Sequence, residues 1–217
     1  MDLRKKVAVV TGSSTGVGRA TAVKLASKGC NVVFNFNRSI AEAEEVRELC
    51  QAEGSAAIVV HADVATGGDC RRLIQSAIDE FHRLDVLVNN AAVTEFVRFE
   101  DLDGLTEEMW LRIFRTNVLG AFFCARAAVP HMKRSGEGVI VNVSSIAGIQ
   151  GSGSSIAYAS SKAAVINMTK CLARSLGPEI RVNAVAPGAI DTRWIRNGIG
   201  EAGFRALRDI YWIIILL

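Results

Sequence analysis

Short runs of β-branched and other apolar residues alternate along this chain with longer segments whose apolar positions recur at helical spacing. The runs predict six buried strands, at residues 6–11, 31–36, 56–60, 85–89, 139–143 and 180–185. The amphipathic segments between them predict helices at 19–28, 40–53, 69–83, 107–134 and 157–176. Because helices separate the strands throughout, we expect one domain with a doubly wound parallel sheet, covered by helices on both faces.

Composition narrows the classes of protein to consider. The chain has 217 residues, of which 50% are hydrophobic and 22% are charged, an ordinary globular mixture. A net charge of +3 is too small to favour binding to nucleic acid or to an anionic membrane. The five cysteines are widely spaced and lie in no metal-ligand pattern, which predicts reduced thiols and no metal site. No signal peptide is visible and the apolar tract 210–217 is too short to cross a bilayer, so we expect a cytoplasmic protein.

A glycine-rich turn follows the first strand and leads into the first helix. Glycines at such a turn let the backbone approach a pyrophosphate, and the helix N-terminus supplies N–H donors and a favourable dipole. The spacing here is G-x-x-x-G-x-G rather than the commoner G-x-G-x-x-G, so a plain glycine-rich turn remains the alternative. The candidate cofactor residues in the turn are Gly12, Ser14, Thr15, Gly16, Val17 and Gly18.

Residues after the second and third strands bear on the choice of cofactor. The second strand ends in Phe36-Asn37-Arg38, with a cation where NAD-binding folds place an acid. A guanidinium there could pair with a 2′-phosphate, which favours NADP(H) over NAD(H), although Arg38 could equally be a solvated loop residue. Asp63 follows the third strand, where it could accept a hydrogen bond from an adenine amine or cap the next helix.

Tyr158 and Lys162 are four residues apart in the last predicted helix, so they share one of its faces. A neighbouring ammonium favours the phenolate, so we expect Lys162 to lower the pKa of Tyr158 toward the working range. Ser145, at the end of the fifth strand, could hydrogen-bond a carbonyl oxygen that Tyr158 protonates. These three side chains suit the addition of hydride to a ketone; the alternative is an ordinary amphipathic helix.

Two asparagines are placed where they need a specific partner. Asn117 lies inside the predicted helix 107–134, a costly position for this residue type, where it could satisfy a backbone group or hold a water beside Lys162. Asn89 ends the fourth strand and could tie neighbouring strands together.

Residues 5–194 together resemble the short-chain dehydrogenase/reductase family, which implies a Rossmann-type fold. The motifs that carry the resemblance are Thr11-Gly12-x-x-x-Gly16-x-Gly18, Asp63-Val64, Asn89-Asn90-Ala91, Asn117, Ser145, Tyr158-x-x-x-Lys162 and Pro187-Gly188. Ala92 stands where the family usually has glycine. Several motifs in the family's order are far more specific than any one of them alone.

The resemblance implies a role for each motif in an NADP(H)-linked oxidoreductase acting on a small carbonyl or alcohol substrate. Tyr158 is then the general acid in reduction and the base in oxidation, and Lys162 binds the nicotinamide ribose. Ser145 orients the substrate carbonyl, and Asn117 anchors a water in a proton relay. The implied cofactor residues beyond the glycine turn are Arg38, Asp63, Val64, Asn90, Ala91, Tyr158, Lys162, Pro187, Gly188, Ile190 and Thr192.

The segment 35–39 is similar to that of NADPH-dependent 3-oxoacyl-acyl-carrier-protein reductases. Sugar, steroid and alcohol dehydrogenases of the family share the same catalytic residues, so the substrate stays open.

The C-terminal end departs from the family pattern. Family members usually continue to a last strand, whereas residues 195–217 have no counterpart of that ending. We therefore expect a catalytic domain at 1–194 and an atypical tail at 195–217, with an uncovered sheet edge that is prone to aggregation. The missing strand usually builds a subunit interface, so a dimer through the long helices stays open and a tetramer is not expected. A catalytically weak nucleotide-binding remnant is the alternative function, and the glycine turn disfavours an interaction protein without a cofactor.

Overall fold

A computed structural model of the chain describes residues 1–38 and 40–210. It contains one sheet of six parallel strands, in the order β3-β2-β1-β4-β5-β6, which confirms the predicted Rossmann-type fold. The strands are β1 (Val7–Val10), β2 (Asn31–Phe36), β3 (Ala57–His61), β4 (Val86–Asn89), β5 (Gly138–Val143) and β6 (Ile180–Val185). The strand order reverses beside β1, and the crevice between β1 and β4 is where such sheets bind ligands.

Helices cover both faces of the sheet. They are α1 (Gly16–Ala26), α2 (Ile40–Ala52), α3 (Gly67–Phe81), α4 (Glu107–Phe114), α5 (Ala121–Ser135), α6 (Ala147–Gln150), α7 (Ile156–Leu176) and α8 (Arg193–Ile210). The bounds of α1, α2, α3 and α7 lie within three residues of the predicted helices 19–28, 40–53, 69–83 and 157–176, respectively. None of the helices in the described ranges combines the length and apolar character needed to span a membrane.

The core consists of two apolar layers, because successive strand residues point to opposite faces of the sheet. Val7 and Val9 of β1 pack on one face with buried residues of α3 and α5. Ala8 and Val10 pack on the other face with buried residues of α1 and α2. This two-sided burial explains why β1 is continuously apolar, and β4 apolar up to its last residue, Asn89, rather than alternating.

The predicted single helix 107–134 is interrupted. Residues Arg115–Gly120 form a π-helical segment between α4 and α5. Gly120, at the end of this segment, packs directly on Val64, and a Cβ added at Gly120 would lie 2.9 Å from the Val64 carbonyl oxygen. The sequence predicted one continuous helix here, and the interruption coincides with this close contact to a residue more than fifty positions earlier in the chain.

Other differences concern loops and the C-terminal end. The Gly/Ser-rich segment 148–155 begins inside the short helix α6. α8 crosses the expected domain boundary at residue 194, and Gly200 (φ 68°, ψ 173°) breaks its helical geometry.

β6 lies at the edge of the sheet, as expected, and leaves Val185 exposed. Ser39 and most of the apolar tract 210–217 lie outside the described residues. The five cysteines are free, and four of them are buried.

Candidate active site

Residues predicted to act on cofactor and substrate lie at the carboxyl ends of the strands. The glycine turn follows β1, Asn90 and Ala91 follow β4, and Ser145 follows β5. Because all strands are parallel, their carboxyl ends lie on the same side of the sheet. The fold therefore brings the separate motifs of the sequence together.

The glycine turn is tightly packed against the end of β4. Gly12 has φ +63°, and a Cβ added to it would lie 2.7 Å from the Cα of Ala91. A Cβ at Gly18 would lie 2.3 Å from the carbonyl oxygen of Gly12 and 2.5 Å from Nδ2 of Asn90. Only glycine fits at either position without moving backbone.

The first turn of α1 begins within this glycine segment. Its N-cap residue, Thr15, has extended backbone, and its side chain caps none of the helix N–H groups. Ser14, Thr15 and Val17 are partly exposed beside Gly16. Uncapped first-turn N–H groups, together with the positive end of the helix dipole, favour an anion such as a pyrophosphate.

Two asparagines hold the glycine turn in place. Nδ2 of Asn90 donates to the carbonyl oxygens of Thr11 and Gly12, at 2.9 Å each. Oδ1 of Asn35, in β2, accepts a 2.9 Å hydrogen bond from the Gly12 N–H, and its Nδ2 donates to the Ala62 carbonyl at 2.8 Å. The sequence predicted a cofactor role for Asn90 and missed Asn35, which reads simply as one residue of an apolar strand.

Tyr158, Lys162 and Ser145 converge where β5 meets α7. Ser155 caps α7 by accepting a hydrogen bond from the Tyr158 N–H, and this fixes where the helix starts. Nζ of Lys162 lies 5.7 Å from the centroid of the Tyr158 ring and donates to the Val143 carbonyl at 2.8 Å. The Ser145 hydroxyl lies close enough to the Tyr158 side chain to favour its phenolate, and its oxygen accepts a 3.1 Å hydrogen bond from the Ala147 N–H.

The protonation of this group differs from the prediction. Burial raises the pKa of Tyr158 above its usual value of 10, and the hydrogen bond with Ser145 partly offsets that effect. The expected lowering by Lys162 was wrong for this structure: the ammonium donates to a backbone carbonyl, and burial lowers the pKa of Lys162 itself to about 8. Both shifts have one physical cause, since an apolar surrounding disfavours the charged form of each group.

Asn117 lies in the π-helical segment and uses its side chain to satisfy backbone groups. Oδ1 accepts from the Val93 N–H at 2.8 Å, while Nδ2 donates to the Val93 carbonyl at 3.0 Å and to the Ser161 hydroxyl at 3.0 Å. Ser161 in turn donates to the Tyr158 carbonyl. Of the two alternatives for Asn117, the structure bears out the backbone role and links it to the helix of Tyr158.

Asn89 ties strands together, as predicted. Its Nδ2 donates to Oδ1 of Asn142 in β5 at 2.9 Å, and Asn142 donates to Thr169 in α7. This buried chain of polar side chains fixes the spacing of β4, β5 and the helix that carries Tyr158.

The residues predicted to contact adenosine are more scattered. Arg38 is exposed just beyond β2. Oδ1 of Asp63 accepts from the Ala65 N–H at 2.9 Å, so the carboxylate organises the turn into α3. Val64 is buried against Gly120. Asp63 therefore does not cap α3, as one alternative predicted, because Thr66 is the N-cap residue; its carboxylate instead holds the turn before the helix.

The segment after β6 returns to the glycine turn and to Tyr158. The Pro187 carbonyl accepts from the N–H of Ile146, and Gly188 packs near the side chain of that residue. A Cβ added at Gly16 would lie 3.7 Å from Cγ2 of Thr192, and both residues line a cleft of about 630 Å³. Ile190 is partly buried between these contacts.

Comparison with known proteins agrees with this geometry. The family model described as "short chain dehydrogenase" matches residues 6–199. A Streptomyces violaceoruber protein named granaticin polyketide synthase putative ketoacyl reductase 2 is 47% identical over 88% of this chain and 75% of its own. A Synechocystis 3-oxoacyl-[acyl-carrier-protein] reductase is 40% identical over 90% of this chain and 78% of its own. A solved Burkholderia cenocepacia short chain dehydrogenase in complex with NADP has a TM-score of 0.83 and 36% identity, covering 89% of this chain and 78% of that chain.

Proposed function

This chain belongs to the short-chain dehydrogenase family, a family of oxidoreductases, and we propose that it transfers a hydride between NADP(H) and a carbonyl or secondary alcohol. The observation that carries the proposal is that Tyr158, Ser145 and Lys162 lie close together at the carboxyl ends of the strands, where the glycine turn also lies. A structural helix face would have no need of a buried lysine and a serine hydroxyl beside the same phenol.

Each of these side chains has a distinct part in the proposed reduction. A bound nicotinamide cofactor would supply the hydride to the carbonyl carbon. The Tyr158 hydroxyl gives its proton to the carbonyl oxygen, and the Ser145 hydroxyl hydrogen-bonds that oxygen and orients it. The Tyr158 phenolate must regain a proton before the next turnover, and Lys162, whose Nζ lies 5.7 Å from the ring centroid, would hold the nicotinamide ribose. Asn117 positions Tyr158 through Ser161.

The glycine turn fits the pyrophosphate of a dinucleotide. Its backbone is held close to β4 where a Cβ would not fit, and the first turn of α1 has uncapped N–H groups. Tyr158, Lys162 and the segment that contains Pro187, Gly188, Ile190 and Thr192 would hold the nicotinamide half. We favour NADP(H) because Arg38, and no acid, follows β2.

We propose a 3-oxoacyl thioester as a substrate to try first. The proposal rests on similarity to the two ketoacyl and oxoacyl reductases and on the segment 35–39 of this sequence. Residues 1–194 are proposed to form the catalytic unit.

The decisive experiment measures binding and turnover separately. NADPH and NADH binding is followed by fluorescence quenching, and turnover by oxidation of NADPH with an acetoacetyl thioester. Tyr158→Phe should abolish turnover and leave NADPH affinity within about twofold, because the phenyl ring keeps the packing and lacks only the hydroxyl that donates the proton. Appreciable residual rate in Tyr158→Phe would contradict the role of Tyr158. Tight NADPH binding without turnover of any carbonyl by the wild type would favour the alternative, a nucleotide-binding remnant.

A dimer through the long helices is proposed for the assembled enzyme. Leu111, Leu119 and Phe122 are exposed apolar residues on α4, the π-helical segment and α5. Apolar side chains at such a surface are typical of subunit contacts. Light scattering should show a dimer for the wild type and a monomer for Phe122→Glu; a monomeric wild type would contradict this assembly.

A further inference from the structure

Trp194, an aromatic side chain that the reaction does not use, stands beside Tyr158, and a second, Phe96, packs on the helix that carries Trp194. In the described part of the chain, three of the large exposed hydrophobic residues are aromatic: Phe96, Phe122 and Trp194. The Arg126 guanidinium lies 6.0 Å from the centroid of the Phe122 ring, on α5. Phe96 lies in the loop between β4 and α4, and Trp194 lies in α8.

Trp194 contacts the proposed general acid directly. The centroids of the Trp194 and Tyr158 rings are 6.3 Å apart, and the planes meet at 62° in an edge-to-face arrangement. This is a favourable geometry for an aromatic pair. Trp194 nevertheless keeps 41% of its surface exposed, so part of the residue next to Tyr158 remains accessible.

Phe96 is held on the same side of the site. Gly198 is one helical turn beyond Trp194, and a Cβ there would lie 1.9 Å from Cζ of Phe96, so the ring packs against the α8 backbone. The Val97 N–H donates to the carbonyl oxygen of Ser154 at 2.9 Å, just before the N-cap of the Tyr158 helix. Phe96 also remains 41% exposed. Trp194 packs on Tyr158 and Phe96 packs on α8, yet both residues keep 41% of their surface exposed. These contacts therefore leave part of each aromatic residue available to a ligand.

We propose that Trp194 and Phe96 form an aromatic wall that selects ketones lying on, or fused to, a flat ring over linear 3-oxoacyl chains. This inference rests on the proposed function and names the substrate class of the same site. A flat ring can stack or pack edge-to-face on Trp194 while its carbonyl oxygen reaches Tyr158 and Ser145. A linear acyl chain offers no π face to this wall. Rigid rings also lose less conformational freedom on binding.

The test compares two ketones of similar size in the same assay. One probe is a tetralone, with its ketone on a ring fused to benzene, and the other is a linear 3-oxoacyl thioester. The full-length wild type should give the higher kcat/KM with the ring ketone. Trp194→Ala should lower kcat/KM for the ring ketone about tenfold, mainly through KM, and change the value for the linear thioester less than about twofold. Trp194→Phe, which keeps an aromatic face, should restore most of the loss.

Controls and contrary outcomes are distinct. Leu102→Ala changes an exposed aliphatic residue of the loop that carries Phe96 and should alter neither probe. Equal losses with both probes in Trp194→Ala, or a wild type that prefers the linear thioester, would overturn the aromatic wall and leave the proposed function intact. If the wild type binds NADPH but reduces neither ketone, the proposed function itself fails and this inference fails with it.

Discussion

Nζ of Lys162 donates a 2.8 Å hydrogen bond to the carbonyl oxygen of Val143, the last residue of β5. Lys162 is only 3% exposed, so its ammonium is buried against a neutral acceptor. This contact holds α7 against the end of β5 and sets the position of Tyr158, one helical turn earlier. It also makes the charge of Lys162 costly, which lowers its pKa from 10.5 to about 8.

The lowered pKa of Lys162 predicts a specific pH dependence of stability. Between about pH 8 and 10.5 the unfolded chain binds the proton of this lysine and the folded chain does not, so the free energy of unfolding rises with pH. The unfolding free energy of the wild type minus that of Lys162→Met should therefore rise with pH across this window, by up to about 3 kcal/mol. Urea unfolding at several pH values measures it. Lys170→Met, at an exposed position of the same helix, should give a flat difference; a flat profile for Lys162→Met would contradict the shift.

Asn117 should be needed for stability as well as for turnover. Asn117→Ala removes the partners of the Val93 N–H and carbonyl and one partner of Ser161. Unpaired buried groups cost about 1–3 kcal/mol each, so we expect about 3 kcal/mol of destabilisation and a fall in kcat. Chemical unfolding and steady-state kinetics at low temperature separate the two effects. Asn167→Ala, at an exposed position of α7, is the matched control and should change neither; similar losses in both variants would contradict the role of Asn117.

The parts of the site that the sequence predicted are those set by local spacing. Tyr158 and Lys162 share a helix face because they are four residues apart, and the glycine turn is identified by its place between a strand and a helix. Asn35 was missed because its partners, Gly12 and Ala62, meet it only in the folded sheet. The direction of the Tyr158 pKa was wrong for the same reason, since burial by distant residues outweighs a neighbour in sequence.

Gly12 and Gly54 allow backbone strain to be separated from crowding. Both have positive φ, +63° and +83°, but a Cβ at Gly12 meets Ala91 at 2.7 Å whereas nothing lies within 4 Å of one at Gly54. Gly54→Ala should cost about 1 kcal/mol of stability through φ alone and leave NADPH affinity unchanged. Gly12→Ala should cost more and weaken NADPH binding at least tenfold, because the glycine turn must move away from β4. Thermal unfolding and fluorescence titration check both variants, and equal effects on NADPH affinity would contradict the assignment of the turn.

Asn35 gives a test of how the glycine turn is held for the cofactor. Its side chain joins the Gly12 N–H to the Ala62 carbonyl, and it is 4% exposed. Asn35→Ala leaves both groups unpaired, so we expect about 2 kcal/mol of destabilisation and a several-fold increase in KM for NADPH with little change in kcat. The split between KM and kcat distinguishes cofactor positioning from general damage, which would lower kcat as well. Asn37→Ala, at an exposed position two residues later, should leave both constants and the stability unchanged. A fall in kcat without any change in KM would show that Asn35 does not act through the cofactor site.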